Sequence, residues 1–137
     1  MVHRIEDKTK EIEQYLDELL TIVPDSLDIY KNDIKIKAAC ERYFEKIIES
    51  IVNLTFLIIK DKNLKIPEED KEAFDILYKE GIIKKKLADR LKEAKGMRNI
   101  LAHEYGKVDD EIVFNSITFE LENDIKEFLK EIKTWKR

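Results

Sequence analysis

Four polar side chains that are suited to acid–base chemistry lie together in the stretch GMRNILAHEY, residues 96–105. Arg98 offers a permanently charged, forked donor for phosphate oxygens, and His103 can accept or donate a proton near neutral pH. Asn99 adds an amide, and Tyr105 adds a hydroxyl and an aromatic ring. Acid–base chemistry on a phosphodiester is therefore one hypothesis for this stretch.

Metal-dependent phosphodiester cleavage is disfavoured, because no acidic cluster with metal-ligand spacing accompanies these residues in the sequence. Metal-independent RNA cleavage fits better, with His103 deprotonating the ribose 2′-hydroxyl or protonating the leaving 5′-oxygen. Arg98 would stabilise the charge that develops at the phosphorus centre. We therefore expect neither a metal nor a cofactor. The alternative is structural, since His and Tyr at a helix end more often cap carbonyls or pack than catalyse.

The spacing of these residues sets a geometric condition on any shared site. Each residue of an ideal helix turns by about 100°, so Asn99 and His103 share one face, where the amide could fix the imidazole tautomer. Arg98 and His103 are about 140° apart on the same helix. They converge only if the helix unwinds near Ala102, which Gly106 would tolerate, or if two copies of the helix meet at an interface.

Helical periodicity predicts the elements that position this stretch. The predicted helices cover residues 3–22, about 33–60, the short segment 68–79, a stretch from near Ile82 through the motif, and a stretch from near Asp109 or Asp110 to Trp135. Pro24 ends the first helix, and Asp25 or Ser26 can cap a new turn. The predicted fold class is all-α, an antiparallel bundle of four main helices plus a short helix.

The second predicted helix carries an apolar stripe that is too wide for one neighbour. It therefore belongs at the centre of the bundle, or it also meets a second subunit. Cys40, the only cysteine of the chain, lies in this stripe and is expected to be a buried small side chain. A single cysteine also excludes a disulfide within the chain.

Length and composition fit one domain over residues 1–137. Apolar residues make up 43% and charged residues 41%, a balance that excludes both a disordered chain and a membrane protein. The longest uncharged apolar stretch, SIVNLTFLII, is too short to span a bilayer, and the N-terminus has no hydrophobic signal segment. A cytoplasmic protein without a membrane partner is the default expectation.

Basic residues concentrate in the segment that leads into the motif. Residues 84–98 carry a local charge of +5, although the whole chain carries −4. Lys84, Lys85, Lys86, Arg90 and Lys95 are therefore candidates for contacts with an RNA backbone. The alternative is a solvated helix face whose cations suit the carboxyl end of the helix dipole. On charge alone, the second interpretation is favoured.

Taken together, these segments resemble a known family. RNILAHEY matches the R-x(4)-H-x-Y pattern of HepT-like proteins within the HEPN superfamily. AACERYFEKIIESIVNLTFLII resembles the family's long second helix, and PEEDKEAFDILYKEGII resembles its proline-initiated helix. LADRLKEAKGMRNILAHEYGKVDDEIVF is similar to the helix, motif and restart that follow, and the resemblance extends over roughly residues 1–133.

The resemblance implies a homodimer of all-α bundles in which the motif lines a cleft between subunits. It implies a ribonuclease toxin of a two-gene module, whose MNT-type nucleotidyltransferase antitoxin transfers AMP to the motif tyrosine. On this chain Arg98 and His103 become catalytic, Asn99 a supporting residue and Tyr105 the AMP acceptor. HEPN proteins also include non-catalytic forms. A helical module that binds a nucleotidyltransferase or RNA without cutting is therefore the alternative, and a purely structural helical dimer is a third interpretation.

Overall fold

The computed structural model describes residues 2–103 and 108–136, which form an all-α fold. Its helices are α1 (Val2–Ile22), α2 (Leu27–Asn32), α3 (Ile34–Asp61), α4 (Asp70–Lys79), α5 (Lys85–His103), α6 (Asp110–Asn115), a π-helical segment (Ser116–Leu121) and α7 (Glu122–Lys136). These two ranges contain no strand, and no helix within them is long and apolar enough to cross a membrane. The predicted fold of four main helices is confirmed, with α1, α3, α5 and α7 as the long elements.

The centre of the bundle is α3. Helices α1, α2, α4 and α5 pack against it, and α7 packs against α5. Phe44, Ile47, Ile51 and Leu54 of α3 are completely buried, because apolar side chains on more than one face need several neighbours to cover them. The predicted central position of this helix is confirmed. Cys40 is also buried as expected, and burial raises the pKa of its thiol to about 11, which keeps it protonated.

Two side-chain caps set the boundary between α1 and α3. The Ser26 hydroxyl accepts a hydrogen bond from the backbone N–H of Ile29 at 3.2 Å, which starts α2. The Asp33 carboxylate accepts from the N–H groups of Lys35 and Ile36, both at 3.1 Å, which starts α3. The sequence predicted a capped turn here, and the structure shows that this turn is a separate short helix.

A glycine in the left-handed region separates α4 from α5. Gly81 has a φ of 74°, and its N–H donates to the carbonyl of Tyr78 at 3.0 Å. Ile82 and Ile83 follow as buried residues of the connection, and α5 begins at Lys85. The predicted start near Ile82 was wrong, because these two apolar side chains pack into the core from a turn rather than from a helix.

The last predicted helix is interrupted by the π-helical segment Ser116–Leu121. Along α6, the π-helical segment and α7, the buried residues Val113, Ile117, Leu121 and Ile125 recur every four positions. An α-helix has 3.6 residues per turn. Without a correction, this stripe would rotate away from the core by about 40° at each step. The wider π turn brings the stripe back, and it leaves Phe119 69% exposed.

Candidate functional site on helix α5

Helix α5 positions three of the four motif residues. It is anchored in the core by the buried side chains of Leu87, Leu91 and Leu101, and it continues through residue 102 to His103. Of the two ways in which Arg98 and His103 could converge, unwinding near Ala102 is not observed, because regular helix includes this residue. Residues 104–107, with Tyr105 and Gly106, lie outside the described part of the chain.

Arg98 lies on the side of α5 that faces α3. Its Nη2 atom is 3.8 Å from Oε2 of Glu49, and its side chain is 20% exposed. Its Nε atom is buried and has no hydrogen-bond partner among the described residues. The guanidinium is thus held by packing and by one long charge contact, which leaves most of its donors unpaired within the described chain.

His103 is exposed and is the last residue of α5. Asn99 lies one turn earlier on the same face and is half-buried. We find no hydrogen bond between the Asn99 amide and the imidazole, although both side chains belong to the described residues. Because α5 is regular up to His103, the imidazole stays about 140° around the axis from Arg98, and Asn99 stays about 100° from it.

A groove of about 630 Å³ adjoins the Asn99 face of α5, and we call it the α5–α6 groove. Its lining includes Lys71 of α4, Gly96, Asn99 and Ile100 of α5, and Ile112 of α6. Ile100 is 43% exposed and Ile112 is 57% exposed, so two apolar side chains form an open wall beside polar groups. The sequence did not predict this groove. Gly96 was the available signal, since a glycine inside a helical pattern is costly unless something needs the space.

The predicted RNA-contact residues fall into two groups. Lys84, Lys85 and Lys86 are exposed at the start of α5, at the opposite end of the helix from His103. Lys85 pairs with Asp89 one turn later on the same helix, whereas Arg90 and Lys95 pair with carboxylates of neighbouring helices. A role of Arg90 and Lys95 as RNA contacts stays a prediction, and both side chains also join α5 to a neighbouring helix.

Arg90 joins α5 to α7. Its Nε donates to Oδ1 of Asp124 at 2.6 Å, and its Nη2 donates to Oε2 of Glu127 at 2.5 Å. These carboxylates raise the pKa of the guanidinium through hydrogen bonds and charge. Arg90 is therefore a structural cross-link between two helices.

Lys95 joins α5 to α4. The residue is 8% exposed, and its Nζ lies 3.2 Å from Oδ2 of Asp70. Lys92, one turn earlier, donates to Oδ1 of Asp75 at 2.8 Å. Much of the positive charge that the sequence concentrates before the motif is thus balanced within the fold by acids of α4 and α7.

Carboxylates, histidines and the cysteine do not gather into a metal-binding group in the described ranges. The groups that could act on a substrate here are an exposed imidazole, a half-buried guanidinium and an amide. This set can move a proton and stabilise negative charge.

Comparison with known proteins gives a consistent result. A family model described as ribonuclease HepT-like matches residues 12–132. The chain is 27% identical over 104 residues to the mRNA nuclease HepT of Shewanella oneidensis, a match that covers 76% of this chain and 77% of that protein. It is 30% identical over 118 residues to the tRNA nuclease HepT of Aphanizomenon flos-aquae, covering 86% and 80% of the two chains.

A solved structure shows the same fold with a partner. It is a tri-AMPylated HEPN toxin of Shewanella oneidensis in complex with an MNT antitoxin. The two chains superpose with a TM-score of 0.88 at 25% sequence identity, and the match covers 95% of this chain and 96% of that one.

Proposed function

The chain belongs to the HepT-like ribonuclease family, and on that premise we propose that it is the ribonuclease toxin of a toxin–antitoxin pair. The proposal includes metal-independent cleavage of RNA at a cleft between two copies of the chain. The observation that carries it is the position of His103, an exposed imidazole at the end of a rigid helix that also holds Arg98. A histidine that packs in the core would be covered by the fold, whereas this one faces solvent.

The proposed reaction needs only protein groups and the 2′-hydroxyl of RNA. His103 takes the proton of that hydroxyl, and the 2′-oxygen forms a bond to the neighbouring phosphorus as the bond to the 5′-oxygen breaks. The departing 5′-oxygen takes up a proton, which a second imidazole can supply. Arg98 stabilises the added negative charge on the phosphate oxygens. DNA lacks the 2′-hydroxyl and should therefore remain intact.

The geometry of α5 supports the proposed dimer. Arg98 and His103 of one chain point about 140° apart on a continuous helix, so one copy alone does not direct both at one phosphate. Two copies related by a two-fold axis would present His103 of one chain beside Arg98 of its partner. They would also supply two imidazoles, one as base and one as acid.

The proposed partner is a nucleotidyltransferase antitoxin of the MNT type that transfers AMP to Tyr105. In this step the phenolic oxygen forms a bond to the α-phosphorus of ATP, and pyrophosphate leaves. A phosphate attached two positions after His103 would add negative charge that repels the RNA backbone. Support comes from the solved relative, an AMPylated toxin bound to its MNT antitoxin, and from the tyrosine two positions after His103.

Cleavage by unmodified protein tests the proposed function. We expect purified chain to cut RNA in the presence of EDTA, and His103→Ala to abolish cutting while the circular dichroism spectrum and melting temperature remain unchanged. His103 is exposed at a helix end, so its loss should not disturb the core. RNA that stays intact with clean, unmodified wild-type protein would overturn the proposal and favour the non-catalytic binding module.

A further inference from the structure

Lys71, in the first turn of α4, lies directly against the motif helix. A Cβ atom placed on Gly96 would be 3.3 Å from the Lys71 Nζ and 3.9 Å from its Cε. The ammonium therefore approaches the backbone of α5 closely at position 96, where glycine has no side chain.

The ammonium lies on the same side of α5 as the proposed acid–base residue. Gly96, Asn99 and His103 are separated by three and four residues, so they share one helical face. Along the axis, Gly96 is about 10 Å from His103 at a rise of 1.5 Å per residue. Lys71 and Asn99 both line the α5–α6 groove, which places a cation and an amide along one path towards His103.

Lys71 differs from the neighbouring lysines in its pairing. Lys92 and Lys95 are ion-paired with Asp75 and Asp70, whereas Lys71 has no ion pair with any of the described residues. Two carboxylates also line the groove. The Asp109 carboxylate accepts hydrogen bonds from backbone N–H groups at the start of α6.

Glu93 is the second of these carboxylates, and it lies about 15 Å along the axis from His103. It therefore lies beyond the Lys71 ammonium as seen from His103. The negatively charged backbone of a single strand would be attracted by Lys71 and repelled by Glu93.

We propose that Lys71 binds a phosphate of single-stranded RNA adjacent to the phosphate that is cut, with the attached nucleotide in the α5–α6 groove. This inference rests on the proposed function. The exposed side chains of Ile100 and Ile112 provide an apolar wall for the sugar or base of that nucleotide. Lys71 is a binding residue, because the phosphate that it holds does not react.

Salt-dependent binding of an RNA oligonucleotide with 2′-O-methyl groups tests this inference, since such RNA cannot be cleaved. Loss of one phosphate contact lowers the slope of log K against log salt by about 0.7 for a single strand. We expect Lys71→Met to show that change and an affinity several-fold lower at low salt. On cleavable RNA, KM should rise while kcat stays the same. Lys79→Met, in the last turn of the same helix, is the matched control and should leave the slope unchanged.

Gly96→Ala is a second control that removes no charge. The added methyl group requires the flexible end of Lys71 to move by only a few tenths of an ångström, so a slope close to that of wild type is expected, and the better helix propensity of alanine supports the fold. Lys71→Arg should restore binding. If wild-type protein binds the oligonucleotide and Lys71→Met shows the same salt slope, the inference is overturned. The proposed function would still stand in that case. An altered dimer mass in Lys71→Met, measured by light scattering, would assign the groove to a second copy instead.

Discussion

The Arg98 guanidinium is tied to α3 by Glu49, whose Oε2 lies 3.8 Å from Nη2. This contact lies on the face of α5 that is turned away from His103. Glu49 itself is 52% exposed at its side chain, so the pair is only partly shielded from water. A half-exposed ion pair contributes little to stability, and its main effect is on where the guanidinium points.

Glu49→Gln should therefore affect catalysis more than folding. We expect kcat for RNA cleavage to fall by about threefold to tenfold, because a misdirected charge stabilises the transition state less well. The free energy of unfolding should change by less than about 1 kcal/mol. Glu45→Gln, one turn earlier on α3, is the control and should retain wild-type kcat. Equal rates for the two variants would show that Glu49 does not orient Arg98.

Tyr30→Phe should stabilise the protein. The Tyr30 hydroxyl is buried without a hydrogen-bond partner among the described residues, while its ring packs on Phe114 at 5.4 Å between centroids. Removing an unpaired buried hydroxyl should raise the free energy of unfolding by about 1 kcal/mol, measured by urea denaturation. Tyr43→Phe is the matched control, because the Tyr43 hydroxyl donates to Glu18 at 3.1 Å. That variant should lose stability, and a loss in Tyr30→Phe as well would reveal a partner for its hydroxyl.

Arg90→Met tests whether this residue is a cross-link or an RNA contact. Asp124, only 16% exposed at its side chain, would lose its donor, and stability should fall by about 1–2 kcal/mol. Arg90 itself is 40% exposed, which keeps the expected loss at the lower end of the range for buried pairs. Cleavage by the folded protein should be unchanged. The double variant Arg90→Met/Asp124→Asn should recover part of the stability. If Arg90→Met instead keeps normal stability and binds RNA more weakly, Arg90 is an RNA contact.

Glu131 on α7 gives the stability a pH dependence. Burial raises the pKa of its carboxyl, and the charge of Glu127 adds to this, while the backbone N–H of Lys84 opposes it. A carboxyl with a raised pKa in the folded state favours folding when protonated, so its contribution is present below pH 4.5 and is lost as the pH rises through the raised pKa. Glu131→Gln should therefore gain stability relative to wild type between pH 4.5 and 7, measured by thermal denaturation across this range.

An exposed carboxylate on the π-helical segment provides the control for this titration. The melting temperature of Glu120→Gln should change with pH in the same way as that of wild type across the same range. If the melting temperature of Glu131→Gln also follows wild type, Glu131 is solvated in the folded protein.

The sequence predicted the long helices well because their apolar residues recur with the helical period, as at Phe44, Ile47 and Ile51 of α3. It did not predict the π-helical segment, although the four-residue spacing of Val113, Ile117 and Leu121 contained the signal. The start of α5 was also missed. Burial of Ile82 and Ile83 in a turn depends on what surrounds them, and local periodicity does not report this.

The charge pattern was harder to interpret than the motif. Arg90 and Lys95 belong to the same basic run as Lys84, and only tertiary contacts with Asp124 and Asp70 distinguish cross-links from free cations. Arg98 and His103 could be assigned from spacing and resemblance, and the geometry of α5 then removed the unwound turn as a way to join them. Lys71 could not be predicted, since 25 residues separate it from Gly96 in the sequence.

Mixing two inactive variants tests whether Arg98 and His103 act across the proposed dimer. Arg98→Gln chains and His103→Ala chains should each be inactive alone. In a mixed dimer, the intact Arg98 of one chain would meet the intact His103 of the other, so one of the two composite sites would be restored. With random exchange, half of the dimers are mixed and each keeps one Arg98–His103 pair, so activity up to about a quarter of wild type is expected after refolding the two variants together. The mixed dimer has a single imidazole, so a shortfall from that quarter measures the contribution of the second imidazole as the acid.

The control for this mixing experiment is a double variant, Arg98→Gln/His103→Ala, combined with wild-type chains. Each mixed dimer then lacks one partner at both composite sites, so activity should fall below the level that simple dilution of wild type would give. If Arg98 and His103 of the same chain formed the site, the two single variants would remain inactive at every ratio. The mixed wild-type and double-variant sample would then follow simple dilution. Because α5 separates the two side chains by about 140°, we expect the composite outcome.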